Sequence, residues 1–178
     1  MDARGFLPGE KSRVWLTYAH NFTHYAGRAL PEDSYYSGLG ARDVVTMDWV
    51  MSQGKFSMVT ELMSGFRVVG DAYGENGLVL LPSYRFSPHV EGIFRYQLSH
   101  GRDAVKMFAR YVPAVTTYPK WVSTMNSFYF GLNYYVFPKD PDMLKFMVGG
   151  EYTATSGARG GAKCFNGWTW FTAVRFHF

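Results

Sequence analysis

The chain closes on FNGWTWFTAVRFHF (165–178), and the side chains of this stretch sort with a period of two. Trp168, Trp170, Thr172, Val174, Phe176 and Phe178 fall on one face, and Thr169, Phe171, Ala173, Arg175 and His177 on the other. Successive side chains of a strand point to opposite faces, so this spacing predicts a long strand. One side of it is apolar with aromatic ends, and the other carries charge. Strands of this kind build outer-membrane barrels, whose outer surface has an aromatic ring at each interface and whose interior is polar. The expectation for the whole chain is therefore an all-β, antiparallel up-and-down transmembrane β-barrel of about eight strands.

Seven earlier segments repeat the alternation. They cover 13–22, 42–52, 56–67, 78–86, 90–98, 126–137 and 143–153, with 165–178 as the eighth. In the first, Val14, Leu16 and Tyr18 oppose Arg13, Trp15, Thr17 and Ala19; in the fifth, Phe94, Tyr96 and Leu98 oppose Ile93, Arg95 and Gln97. Pro82 interrupts the fourth segment and has no N–H, so a bulge or a lost ladder bond is expected there. The uncharged run WVSTMNSFYFGLNYYVFP (121–138) approaches the length of a membrane helix, but its second half alternates and it reads as a strand. Short turns are expected after the second, fourth and sixth strands, at Gln53-Gly54-Lys55, Ser87-Pro88-His89 and 138–142. Longer connections follow the first, third, fifth and seventh. That alternation predicts short turns at one end of a meander, with both chain termini, and long loops at the other, the asymmetry of outer-membrane barrels.

Composition agrees with strands. The 178 residues include 15 Phe, 13 Tyr and 5 Trp, giving 19% aromatic beside 18% charged. The length suits a single domain, taken here as 1–178. The one cysteine, Cys164, excludes an internal disulfide framework and a multi-thiolate metal site. The net charge of +4 is scattered without a basic block, so no nucleic-acid partner is expected. The opening MDARGFLPGEKSR has no apolar signal-peptide core, so an exported barrel implies a truncated or processed N-terminus.

The face opposite the apolar one carries Arg13, Arg67, Arg85, Arg95, Lys145 and Arg175 against Asp48, Glu61, Glu91 and Glu151. Basic residues along a pore raise the local anion concentration, whereas alternating signs inside a barrel also serve as a salt-bridged filling. Asp48 and Glu61 would repel across neighbouring strands, so Arg85 or Arg67 is expected between them. Arg102, Lys106 and Arg110 are four apart in the longest loop. They would align on one helix face, either as an anion-attracting constriction or as a solvated loop surface. Two outer aromatic belts are expected. Trp49, Phe56, Phe86, Phe137, Phe176 and Phe178 form one at the short-turn end; Tyr18, Phe66, Phe128, Tyr152, Trp168 and Trp170 form the other. Trp15 falls on the inner face and outside both. GARGGAK fails as a phosphate loop, because Ala162 and Cys164 stand where Gly and Ser or Thr belong. The five His follow no metal-ligand spacing and no motif argues for catalysis, so neither an enzyme nor a cofactor is expected.

Several stretches resemble a known family. MDWVMSQGKFSMVTELMSGF (47–66), LVLLPSYRFSPHVEGIFRYQLSHG (78–101) and VKMFARY (105–111) look like the distal part of the phosphate-selective porin O and P family. FYFGLNYYVFPKDPDMLKFMVGGEYTATSG (128–157) and FNGWTWFTAVRFHF are similar to its last three strands. The most specific pieces are GLNYYV, GGEYT and the GWTW ending. The resemblance implies the C-terminal half of a larger, sixteen-stranded, homotrimeric porin of the bacterial outer membrane. Its water-filled pore would pass small anionic, phosphate-like solutes by diffusion, with Arg67, Arg85, Arg95, Lys145, Arg175 and the loop cations along the path. It also implies that Phe176 and Phe178 form a membrane-assembly signal. Eight strands alone close around an interior just filled by side chains, so alone they would leave no wide channel. A complete eight-stranded membrane barrel with a structural or adhesive role, and a soluble ligand-binding barrel, are the other two readings.

Overall fold

A computed structural model describes residues 11–20, 41–68, 75–101, 121–141, 143–159 and 164–177. They form eight strands: β1 (Lys11–His20), β2 (Ala41–Gln53), β3 (Phe56–Val68), β4 (Glu75–Arg85), β5 (Val90–His100), β6 (Trp121–Tyr135), β7 (Leu144–Arg159) and β8 (Asn166–Phe176). Each pairs antiparallel with the next in a single sheet, in the order β1 to β8. The sheet is not closed: among the described residues β1 pairs only with β2, and β8 only with β7.

Every strand expected from the alternation is present, and β4, β6 and β7 reach three to six residues into stretches expected as connections. β4 begins at Glu75 inside the stretch GDAYGENG, β6 begins at Trp121, and β7 runs to Arg159 through Ser156, Gly157 and Ala158. Their composition is that of loops; their structure comes from the partner strand and from packing. Val122, fully buried, and Met125 form a small core against Ala158 and Phe165, and the Thr155 Oγ1 accepts the Phe165 N–H at 2.6 Å. Gly157 has φ 71, in the left-handed region that glycine tolerates. The longer strands also weaken the expected loop asymmetry. The connections after β2, β4 and β6 are residues 54–55, 86–89 and 136–143, while those after β3 and β7 are only 69–74 and 160–165. Residues 21–40 and 101–120 remain the two long connections. Gly54, with φ 57, makes the tightest turn. At Pro82 the ladder to β5 skips Leu81 and Pro82 and resumes in the same register, so a bond is lost without a bulge.

The registers carry one face intact through all eight strands. Leu16 lies opposite Met47, Met47 opposite Leu62, Leu62 opposite Leu78 and Leu78 opposite Leu98. Phe128, Tyr152 and Trp168 continue that face in β6, β7 and β8. This apolar face is open: Leu16 is 74% exposed and Trp170 76%. The other, polar, face holds Trp15, Asp48, Glu61, Gln97, Ser127 and Thr153 in one cross-strand row with Val79.

At the short-turn end β4 ends one residue beyond the partner of Phe56, β5 begins one beyond the partner of Arg85, β6 ends one beyond the partner of Val90, and β7 begins one beyond the partner of Tyr135, whereas β2 and β3, and β7 and β8, end level.

Candidate functional site: the polar face of β4 to β8

Two side-chain groups organise this face. In the first, Arg95 on β5, Tyr129 on β6 and Glu151 on β7 are cross-strand neighbours in one row. Arg95 Nη2 donates to Glu151 Oε1 at 2.9 Å, and the buried Ser127 hydroxyl donates to the same oxygen. That ion pair spans an intervening strand, which requires the middle side chain to clear the path. Tyr129 does so by lying along β6 over Gly131 and Gly149, where a Cβ at either position would run into its ring. The Arg95 guanidinium carbon is 5.3 Å from the ring centroid, and Phe171 meets the ring edge-on at 6.2 Å. Two missing Cβ atoms thus make the floor on which the ring and the bridge are stacked.

The second group lies nearer the short turns. The Tyr135 hydroxyl donates to Glu91 Oε2, and Asn133 Nδ2 donates to the same oxygen at 3.1 Å. The Tyr135 ring carries two cations, Arg85 at 4.8 Å and Lys145 at 5.8 Å from its centroid. Arg175 sits directly opposite Lys145 on β8. Below them, His89 Nδ1 meets the Tyr135 carbonyl at 2.8 Å and its ring stacks on Tyr134 at 5.9 Å, fixing the β4–β5 turn against β6. Arg85 therefore stands directly opposite a carboxylate already bonded to Tyr135 and Asn133, while Lys145 and Arg175 extend the basic side of this group onto β7 and β8.

Arg85, Arg95, Lys145 and Arg175 all occupy the polar face, as their spacing implied, and the two groups draw in all but Arg67 of the basic strand positions proposed for the pore. Arg67 lies within β3, six residues beyond Glu61. Arg102, Lys106, Arg110 and Phe178 lie outside the described residues; Phe176 lies on the apolar face of β8.

One expectation is corrected. Asp48 and Glu61 do face one another across β2 and β3, but neither Arg85 nor Arg67 stands between them. Glu61 lies opposite Val79, six residues from Arg85 along β4, and Arg67 is six residues from Glu61 along β3. Six residues of strand are about 20 Å, beyond the reach of an arginine side chain. The acidic pair on β2 and β3 therefore lies apart from the cations of β4 to β8. The neutral members of the site, Ser127, Tyr129, Asn133 and Tyr135, were not singled out from sequence. Their positions on the charged face were legible, but their partners depend on register.

No family model, no curated protein and no solved structure matches this chain.

Proposed function

We propose that this chain forms eight contiguous strands of an outer-membrane porin wall, with the polar face lining a water-filled pore for small anionic solutes. The observation that carries the proposal is the apolar face, which runs unbroken across all eight strands and stays open to its surroundings. The buried apolar residues among those described are few: Met51, Val122, Met125 and Tyr135. A sheet with so little core needs an apolar medium against its outer side, because an exposed apolar patch of this extent is foreign to soluble monomers.

Two further features support the same reading. Aromatic residues concentrate near both ends of the apolar face. Phe56, Tyr84, Tyr134, Phe146 and Phe176 stand at the short-turn end, and Tyr18, Phe66, Phe128, Tyr152, Trp168 and Trp170 toward the other. Trp49, expected in the first belt, stands four residues inside β2 and donates to Ser12. On β5 and β6 the face turns polar past the second belt, with His100 bonded to Thr124. On the polar face near the short turns, Arg85, Lys145 and Arg175 outnumber Glu91, which favours anions, in keeping with the resemblance to phosphate-selective porins.

The test compares two neighbours on β7. Val148 faces outward and Met147 inward, so Val148→Arg should weaken folding into phosphatidylcholine vesicles by about 2–4 kcal/mol, as an arginine does at the bilayer midplane. Met147→Arg should cost far less. Equal effects of the two, or a chain that stays folded in detergent-free buffer without entering vesicles, would refute the proposal.

A further inference from the structure

We infer that the polar face of β6 to β8 carries a binding shelf for small aromatic carboxylates. The Lys145–Arg175 pair takes the carboxylate, and Met147, Ala173, Tyr129 and Phe171 take the ring. This rests on the pore reading above and narrows it, since it names an organic anion, not a phosphate-like one, as the solute held along this stretch.

The ladder between β7 and β8 lays the shelf out. Lys145 and Arg175 are direct cross-strand partners at the short-turn end. Next along the same two strands come Met147 and Ala173, again partners, and then Gly149 and Phe171. Gly149 has no side chain of its own; the Tyr129 ring lies over it from β6 and meets Phe171 edge-on at 6.2 Å. Four residues of strand separate Arg175 from Phe171, about 13 Å between Cα atoms. Ala173 puts only a methyl group into that interval. The shelf therefore has a cationic front edge, a low apolar floor and an aromatic back wall, with space for a benzene ring between edge and wall. Strands add in the plane of a sheet, so a further strand beside β8 would lengthen this shelf and not cover it.

The chemistry of the floor selects the class of anion. Phe171 is 37% exposed and Met147 half-buried beside two cations. A hydrated inorganic anion meets those cations but gains nothing from Met147 or Phe171. An arene covers both, and removing apolar surface from water is favourable. The ring edges of Tyr129 and Phe171 suit an offset or edge-to-face arene, and the Met147 thioether is a soft contact for one. At the front edge the planar guanidinium of Arg175 can hold both carboxylate oxygens while Lys145 adds charge. Glu91 and Glu151, the carboxylates of this face on β5 to β8, already hold other groups: Tyr135 and Asn133 in one case, Arg95 and Ser127 in the other. Arg85 stands directly opposite Glu91, which leaves the Lys145–Arg175 edge as the place for an incoming anion. A mostly apolar surface with a few charged groups that fix orientation is the usual composition of a site for a small organic molecule.

The test is competition followed by fluorine NMR on the folded chain in micelles, with para-fluorobenzoate as the probe and empty micelles as the blank. Benzoate carries ring and charge, acetate the charge alone, and benzyl alcohol the ring alone. Covering about 55 Å² of apolar surface is worth a factor of about ten in affinity. Benzoate should therefore displace the probe at about one tenth of the acetate concentration, and benzyl alcohol at that concentration should not displace it. Phe171→Ser with Met147→Ser should bring benzoate down to the level of acetate, and Lys145→Gln with Arg175→Gln should remove probe binding. A probe that does not bind the unaltered chain, benzoate and acetate displacing it alike, or a serine pair that leaves the advantage of benzoate intact overturns the shelf. The pore reading still stands in those cases if Val148→Arg and Met147→Arg differ in vesicles as stated above. Loss of that difference overturns the pore reading itself, so the two failures are distinguishable.

Discussion

Gly149→Ala is the substitution whose effect follows most directly from the geometry. A Cβ built at Gly149 would stand 2.6 Å from Cζ and 2.5 Å from Cε2 of Tyr129, where ordinary carbon contacts are about 3.5–4.0 Å. The ring has to rise by about 1 Å, toward the guanidinium of Arg95 and the bridge to Glu151. Overpacking of this kind costs about 1–3 kcal/mol, and disturbing a partly exposed cation–π contact adds about 0.5–1 kcal/mol. The half-exposed ion pair contributes at most about 1 kcal/mol after solvent screening. A destabilisation of about 2 kcal/mol in urea unfolding of the folded protein in micelles is the expected result. Gly77→Ala is the control, since a Cβ there meets nothing closer than 3.8 Å, and it should change stability by no more than about 0.5 kcal/mol. The decisive measurement is the cycle with Tyr129→Ala. Once the ring is gone, Gly149→Ala should cost almost nothing, giving a coupling of about 2 kcal/mol. Additivity to within about 0.5 kcal/mol would refute the idea that Gly149 is glycine for the sake of that ring.

Other outcomes follow from the same two groups. Tyr135→Phe removes one of the neutral donors to Glu91 and should cost about 1 kcal/mol in the same unfolding assay; no change would mean that Asn133, Ser83 and Arg85 hold the carboxylate without it. In the assembled pore, Glu151→Gln releases Arg95 from its partner and should move the reversal potential in a salt gradient toward anion selectivity. Lys145→Glu combined with Arg175→Glu should move it the other way; shifts of the same sign for both would contradict a pore lined by this face. The resemblance of the last strand to porin termini predicts that deletion of Phe178 impairs membrane assembly. Insertion at the normal level in a vesicle or whole-cell assay counts against that.

The existence, order and sidedness of the strands were legible because a period of two needs only the chain itself. The Trp168–Phe176 series, the Leu16 series and the Phe94–Leu98 series each assign faces locally, and the ladders then join like faces. Boundaries were less legible wherever composition and pairing disagree. Ser156-Gly157-Ala158 reads as loop by residue type, yet it is strand because Trp121 to Thr124 lie alongside and Val122 and Met125 bury themselves against Ala158 and Phe165. The same holds for Glu75-Asn76-Gly77, ordered by pairing with β3 and β5. The offset between neighbouring strands was not legible. Alternation places Asp48, Glu61 and Arg85 on one face, but only the register sets Arg85 about 20 Å along β4 from the partner of Glu61.

Gly149 and Gly150 join these points. Consecutive residues of a strand face opposite ways, and here both are glycine: Tyr129 covers Gly149 on the polar face, and Trp170 covers Gly150 on the apolar one. A strand without side chains at two successive positions loses cross-strand packing there, and it is expected to weaken. The two rings restore that packing from neighbouring strands, one from β6 and one from β8. The Tyr129 ring clears the path of the Arg95–Glu151 bridge, which joins β5 to β7, while Trp170 stacks on Trp168 at 6.1 Å on the apolar face. The sequence GGEY therefore links the two faces at one point of the sheet. Its glycines seat one ring on each side, its glutamate anchors the bridge on the polar face, and its tyrosine, Tyr152, packs 5.3 Å from Trp168 on the apolar one. A side chain at either glycine would disturb one face first, so Gly149→Ala should alter the charged lining while leaving the Trp168–Trp170 stack in place. Gly150→Ala should do the reverse, because a Cβ there would stand 2.9 Å from the Trp170 ring.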